Sequence, residues 1–250
     1  MTLVSDVYDY LCKMAPLQLQ MSFDNSGFLL GRKEREVKKV LLALDVTNDV
    51  VEEAISIAAD LIISHHPLIF SAIKSVTDDK LLRLLENNIA VISMHTNLDI
   101  APGGVNDVLL ALLGAECSDV LDEDGCGRIG YFDEKQDFNS FVSRCKSVLN
   151  CNGIRYYYSG KPVKYLAVMG GAGADAIELA FEKGCDTYVT ADIKYHQFLR
   201  AAEIGINLID ADHFSTENPI IIVLCERLRK TFPEVEFTVS AKHRAIIEFA

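Results

Sequence analysis

The stretch VVEEAISIAADLIISHH, residues 50–66, joins a helix pattern to a short apolar strand pattern and then to two adjacent histidines. Pro67 follows the pair. Neighbouring strand residues point to opposite faces, so His65 and His66 cannot serve one site from a regular strand. Because Pro67 favours a turn and ends strand pairing, the sequence predicts that both rings converge in a loop.

Strand and helix patterns alternate on both sides of this stretch. The predicted strands are Lys39–Asp45, Leu61–Ser64 and Ala90–Met94, and the predicted helices are Asn48–Ala59, Asp78–Asn88 and Val105–Leu113. This alternation predicts an α/β fold with mixed, largely parallel sheets flanked by helices. Acidic residues and glycines between Cys117 and Gly130 favour a linker in that segment.

The second half of the chain repeats the first. When Ala54 is aligned with Ala180, Asp60 meets Asp186 and the predicted strand at 61–64 meets residues 187–190. Alternatively, any two α/β units look alike when one is slid past the other. We interpret the pattern as two similar lobes, residues 1–125 and 126–250, with ligands bound in the crevice between them.

Side chains that can bind metals follow the predicted strands. They are His65, His66, His95, Asp99, Asp192, His196, Asp210, Asp212, His213 and Glu217. Imidazoles and carboxylates together suit divalent zinc, manganese, iron, cobalt or nickel. A lone histidine at a strand end is often only a hydrogen-bonded polar residue, and HTNLD (95–99) equally fits a turn in which Asp99 caps a helix.

The segment DADHFSTE (210–217) is more specific. His213 and Glu217 are four residues apart, which brings side chains together on one helical turn. Pro219 marks the first turn of the next helix. Glu217 can alternatively serve only as a negative charge at a helix N-terminus.

Composition excludes several classes of protein. The net charge of −12 disfavours general binding to nucleic acid or to an anionic membrane. Seven cysteines without a C-x-x-C pair fit reduced thiols, and we expect neither a signal peptide nor a membrane span. These features predict a cytoplasmic protein. His243 has no acidic neighbour in sequence, so we expect a structural role for it.

Six motifs resemble, in order, those of the NGG-interacting factor 3-like family, whose members are often named GTP cyclohydrolase 1 type 2 homologues. They are SFDNSGFLLG (22–31), LDVT (44–47), SHHPLIF (64–70), HTNLD (95–99), TADIKYH (190–196) and DADHFSTE (210–217). The chain departs from the family pattern at Phe23, often Trp, and at Ala191 and Asp212, where glycine is usual.

The resemblance implies a centre of two divalent metal ions. Its implied ligands are His65, His66, Asp99, His213 and Glu217, with Glu217 as the bridge. It also implies two α/β lobes and a ring-shaped homohexamer. Only about sixty residues separate Gly130 from Thr190, too few for the inserted middle domain that some members carry.

The resemblance further implies a hydrolase in which a metal-activated water attacks a purine-nucleotide-like small molecule, such as the guanine imidazole ring of GTP. GGAGAD (170–175) lacks the lysine of a Walker loop and equally fits a tight strand-to-helix turn. His95, Asp192 and His196 are candidates for proton transfer or for orienting the metal ligands. Two alternatives remain: a non-catalytic metal-binding regulatory or interaction protein forming a ring, and nucleic-acid processing through such a ring, which the charge disfavours.

Overall fold

A computed structural model describes residues 1–248, and their helices and strands alternate as the sequence predicts. The strands are β1 (Gly27–Leu30), β2 (Lys39–Ala43), β3 (Leu61–Ser64), β4 (Ala90–Ser93), β5 (Glu116–Val120), β6 (Arg128–Gln136), β7 (Arg155–Tyr157), β8 (Val163–Val168), β9 (Thr187–Thr190), β10 (Asn207–Asp210) and β11 (Glu236–Val239). The helices are α1 (Val4–Met14), α2 (Asn48–Ser56), α3 (Asp79–Glu86), α4 (Thr96–Ile100), α5 (Val105–Leu112), α6 (Phe138–Val148), α7 (Ile177–Glu182), α8 (Tyr195–Ile204), α9 (His213–Glu217) and α10 (Pro219–Thr231).

The described residues divide into two compact units. The first unit comprises Met1–Pro102 and Ile220–Arg244, and the second comprises Gly103–Pro219 and the chain from Ala245. These bounds differ from the lobes expected at 1–125 and 126–250. The reason is the pairing of β11 with β2, which returns the C-terminal part of the chain to the first unit.

The sheet of the first unit has the strand order β1-β4-β3-β2-β11. Strands β11, β2, β3 and β4 are parallel, and β1 closes the edge in the antiparallel direction. Leu41, Ile62 and Val91 pack in one buried cluster with Val50 and Leu84 from α2 and α3. Because the parallel strands end at the same edge, the residues that follow β2, β3 and β4 meet there.

The sheet of the second unit has the strand order β5-β6-β8-β9-β10-β7, with β8, β9 and β10 parallel. Alternate residues of these strands enter different cores. Val189 packs in a cluster with residues of α5 and α6, whereas Tyr188 packs with residues of α7 and α8. Helices therefore cover both faces of this sheet, which explains why its central strands are apolar on both sides.

Asp60 and Asp186, which the alignment of the two halves pairs, make corresponding contacts in the two units. The carboxylate of Asp60 accepts hydrogen bonds from the backbone N–H groups of Lys38 and Lys39 at the start of β2. Asp186 accepts the corresponding bonds from Lys164 and Tyr165 in β8. The same carboxylate thus anchors the same strand in each unit.

The prediction of a linker at Cys117–Gly130 is wrong. Residues 116–120 form β5, which pairs antiparallel with β6. Every residue of β5 is exposed, so the strand lacks the apolar alternation that identifies a strand in sequence. Gly130 lies in β6 where a Cβ would meet the Glu116 carbonyl oxygen at 2.8 Å, so glycine permits the close approach of these strands.

Within residues 1–248, no helix is both long and apolar enough to span a bilayer. His243 follows β11 and accepts a hydrogen bond at Nδ1 from the backbone N–H of Leu44, with 3.0 Å between the nitrogens. Burial lowers the pKa of His243, which keeps the ring neutral and able to accept this bond.

Candidate functional site

The adjacent histidines lie at the carboxyl end of β3, in the first unit. His65 is fully buried, and its Nδ1 lies 2.8 Å from the carbonyl oxygen of Met94. His66 is partly exposed, and its Nδ1 lies 2.7 Å from Oδ1 of Asp45, the second residue after β2. The ring centroids are 5.1 Å apart. The two rings are therefore held by different neighbours yet lie side by side.

His95 joins this pair. It follows β4 and precedes α4, and its ring centroid lies 5.2 Å from that of His65 and 5.6 Å from that of His66. One nitrogen of each ring lies within 4.8 Å of the others, close enough to share an ion. The sequence suggested His95 only as a candidate for proton transfer or for support, and the structure brings it into the imidazole cluster.

Asp99 adds a carboxylate to the three imidazoles. Its Oδ1 lies 3.6 Å from Nε2 of His65, and its side chain is mostly buried. Asp99 is inside the short helix α4 and does not cap it, so the capping alternative is not what the structure shows. The first unit thus brings His65, His66, His95 and Asp99 together, and the three imidazoles form a group that could hold a metal ion.

Asp24 holds His95 and the start of α4. Its carboxylate accepts hydrogen bonds from Nδ1 of His95 at 2.8 Å, from the Thr96 N–H at 3.0 Å and from the Ser26 hydroxyl at 2.8 Å. Burial alone would raise the pKa of Asp24, but these donors hold it well below its usual range. Asp24 lies in the motif SFDNSGFLLG, but its partner His95 lies in the motif HTNLD. The sequence around Asp24 therefore does not indicate that it holds a histidine.

His213 and Glu217 form the second group, in the second unit. Both lie in α9, and Nε2 of His213 is 3.2 Å from Oε2 of Glu217. Nδ1 of His213 is 2.7 Å from Oδ2 of Asp192, in the loop after β9. Burial lowers the pKa of His213, but the two carboxylates outweigh it and raise the pKa to about 9. Asp192 therefore orients this histidine.

The glycine turn after β8 makes room for Glu217. A Cβ at Gly171 would lie 2.1 Å from Oε1 of Glu217 and 3.2 Å from Cε1 of His213. Gly171 also has a φ of +64°, and its N–H donates to the Thr216 hydroxyl. GGAGAD is thus a tight turn that shapes the cradle of a buried carboxylate, a role that the sequence did not reveal.

Asp212 adopts a backbone conformation that favours glycine, with φ of +67° and ψ of 135°. Its side chain accepts a hydrogen bond from the Ser215 N–H at the start of α9, which offsets part of this strain.

Two other candidate ligands lie apart from these groups. Asp210 pairs with Arg155. His196 is exposed in the first turn of α8, and the groups of close ligand atoms found in residues 1–248 do not include it.

All four clustered histidines share one feature: Nδ1 contacts an oxygen of Met94, Asp45, Asp24 or Asp192. Carbonyl and carboxylate oxygens only accept hydrogen bonds, so each Nδ1 carries a proton, and Nε2 is the ring atom that a metal ion would bind once it displaces any proton there. Histidines that bind metals are oriented in this way. The donor set, imidazole Nε2 with buried carboxylates, therefore fits divalent first-row metals.

The chain is similar to known proteins over nearly its whole length. A family model described as Duf34/NIF3 (NGG1p interacting factor 3) matches residues 2–245. A Clostridium perfringens relative named GTP cyclohydrolase 1 type 2 homolog is 33% identical over 98% of this chain and 99% of its own. A Helicobacter pylori relative named GTP cyclohydrolase 1 type 2 is 32% identical, over 91% and 92%. The solved structure of the Staphylococcus aureus hypothetical protein SA1388 has a TM-score of 0.92 at 28% identity and covers 99% of both chains.

Proposed function

Because the chain belongs to the Duf34/NIF3 family, we propose that it is a metal-dependent hydrolase that binds two divalent ions through His65, His66, Asp99, His213 and Glu217. The observation that carries this proposal is the common orientation of the histidines, each with Nδ1 held by an oxygen. When bound, divalent ions supply Lewis acidity and lower the pKa of water toward neutrality.

The residues around these ligands have separate tasks in the proposed reaction. Asp45 and Asp192 hold His66 and His213 in one tautomer and one orientation. His95 is held in the same way by Asp24, so Nε2 is the atom at which it accepts or donates a proton. We therefore assign proton transfer to His95 and orientation to Asp192.

The substrate class rests on the names of the relatives, which point to a purine nucleotide. The glycine turn does not add a phosphate cradle. The N–H groups of Gly170, Gly171 and Gly173 donate to Asn106, Thr216 and Thr190, so these three N–H groups already have acceptors within the unit. Recognition of the purine ring is therefore a better-supported expectation than recognition of the triphosphate.

A turnover screen tests the proposal. Metal-loaded protein is incubated with GTP, phosphoesters and amides, and Glu217→Gln serves as the variant. The expected result is turnover of one substrate class that falls at least a hundredfold in the variant, since removal of one electrostatic group at a reacting centre costs on that order. Turnover unchanged by Glu217→Gln would contradict the proposal.

The same screen separates the alternative function. A non-catalytic regulatory protein would bind stoichiometric metal and turn over none of the substrates.

The expected homohexamer remains a prediction, which sedimentation velocity of the purified protein checks. Binding of DNA is expected to be absent at physiological salt, given the charge of −12.

A further inference from the structure

Two exposed phenylalanine rings adjoin the imidazole cluster of the first unit. Phe23 is 64% exposed and Phe70 is 50% exposed. Their ring centroids are 6.4 Å apart with a tilt of 42°, and the Phe70 ring lies 6.2 Å from that of His95 at 79°. The aromatic surface is thus continuous with a ring of the candidate metal cluster.

The loops that carry these rings are anchored to the same cluster. Asp24, next to Phe23, is buried and holds His95. The Asn25 amide donates a 2.6 Å hydrogen bond to the carbonyl oxygen of Ile69, which ties the loop of Phe23 to the loop of Phe70. The Ser26 hydroxyl accepts a 3.1 Å hydrogen bond from the His95 N–H. Two large apolar side chains are therefore displayed on fixed backbone.

We propose that Phe23 and Phe70 form a subsite that binds a planar heteroaromatic ring of the substrate beside His95. The inference rests on the proposed function, since it places the ring of the substrate relative to the proton-transfer residue. Aromatic side chains bind such rings by offset or edge-to-face contact, which is tolerant of the identity of the ring. An aliphatic group would not require two aromatic side chains at these positions.

The area of the pair suits a small molecule better than a second copy of the chain. At roughly 200 Å² for a whole phenylalanine side chain, the two rings expose about 230 Å² together. A stable interface needs about 800 Å² on each partner. The pair by itself therefore falls well short of an interface and matches the face of one ring system.

The test measures binding of guanosine to metal-loaded protein by calorimetry, with ribose as the ligand that lacks a ring. We expect guanosine to bind and ribose not to. Phe23→Ala and Phe70→Ala should each weaken guanosine binding about tenfold, because stacking on one aromatic side chain contributes on that order. Phe23→Trp should retain binding, and Phe23→Leu should weaken it about as much as Phe23→Ala although leucine retains apolar volume.

Phe181→Ala is the matched control, since Phe181 is also exposed but lies in the second unit under Lys161. It should bind guanosine as the unmodified protein does, and all variants should keep their metal content. Guanosine affinity in Phe23→Ala and Phe70→Ala that equals that of the unmodified protein would overturn the subsite. A different result would also overturn the subsite: the unmodified protein does not bind guanosine, and Phe23→Ala or Phe70→Ala dissociates an oligomer on sedimentation. A second copy of the chain would then cover the rings.

The outcomes for this subsite and for the proposed function are distinguishable. Guanosine binding that depends on both rings, in a protein without turnover, would support the subsite and contradict the hydrolase. Turnover that is lost in Glu217→Gln, with a KM that neither Phe23→Ala nor Phe70→Ala changes, would support the hydrolase and contradict the subsite.

Discussion

Gly171 and the Glu217 carboxylate lie so close that a Cβ on the glycine would come within 2.1 Å of Oε1. We expect Gly171→Ala to displace Glu217 and to reduce the bound metal to less than half of its normal content. The positive φ of Gly171 adds about 1 kcal/mol of strain to the variant. Elemental analysis after metal loading, with thermal unfolding in parallel, measures both effects.

Gly184→Ala is the control for this strain. Gly184 has a φ of +83°, and among the described residues no heavy atom outside its chain neighbours lies within 4 Å of a Cβ built there. It should therefore lose similar stability but keep its full metal content. Equal metal content in the two alanine variants would contradict the role of the glycine turn.

Asp192 orients His213 through a 2.7 Å contact between Oδ2 and Nδ1. We expect Asp192→Asn to weaken metal binding about tenfold to a hundredfold, as loss of such a partner does in other metal sites. Competition with a chelator measures the affinity. Asp175→Asn removes an exposed carboxylate of the same unit and should leave the affinity unchanged. A similar affinity for both variants would show that Asp192 has no orienting role.

The duplicated aspartates, Asp60 and Asp186, each accept two backbone hydrogen bonds at the start of a parallel strand. Replacing either with alanine should lower the free energy of unfolding by about 2 kcal/mol, because hydrogen bonds to charged acceptors contribute on that order. Urea unfolding measures the change. Asp119→Ala, in the exposed strand β5, should change it by less than about 0.5 kcal/mol. Little effect at either duplicated position would count against their equivalence.

His243 gives the chain a pH dependence with a definite sign. Burial lowers its folded pKa below the unfolded value of about 6.5, so the stability it contributes is complete above that pH and declines as the pH falls. Protonation also removes the lone pair that accepts the Leu44 N–H. The difference in free energy of unfolding between the unmodified protein and His243→Phe should therefore shrink from pH 7.5 to pH 5. A difference that stays constant or grows would contradict this assignment.

The sequence predicts those features of the fold that depend on local pattern. The strand Leu61–Ser64 and the duplicate at Thr187–Thr190 follow from short apolar runs with polar residues at one end. Strand β5 is exposed throughout and gives no such pattern. The pairing of β11 with β2 joins residues about two hundred positions apart, so local patterns in sequence do not predict it.

The candidate site divides in the same way. Histidines after strands and the i,i+4 pair of α9 are visible in sequence, because their spacing determines where they point. Asp24, Asp45 and Gly171 act on residues from other motifs, and their roles depend on tertiary contacts. Asp212 is a special case, since an aspartate occupies a backbone conformation that favours glycine. Its side chain caps the N-terminus of α9, and this hydrogen bond helps to stabilise the conformation.

The oriented histidines and buried carboxylates are expected to bind divalent metal. Elemental analysis of carefully loaded protein measures this binding, with His66→Ala and His213→Ala as variants. We expect about two ions per chain, with substantial loss in each variant. Fewer than about one ion per chain, or full metal content in both variants, would contradict this expectation.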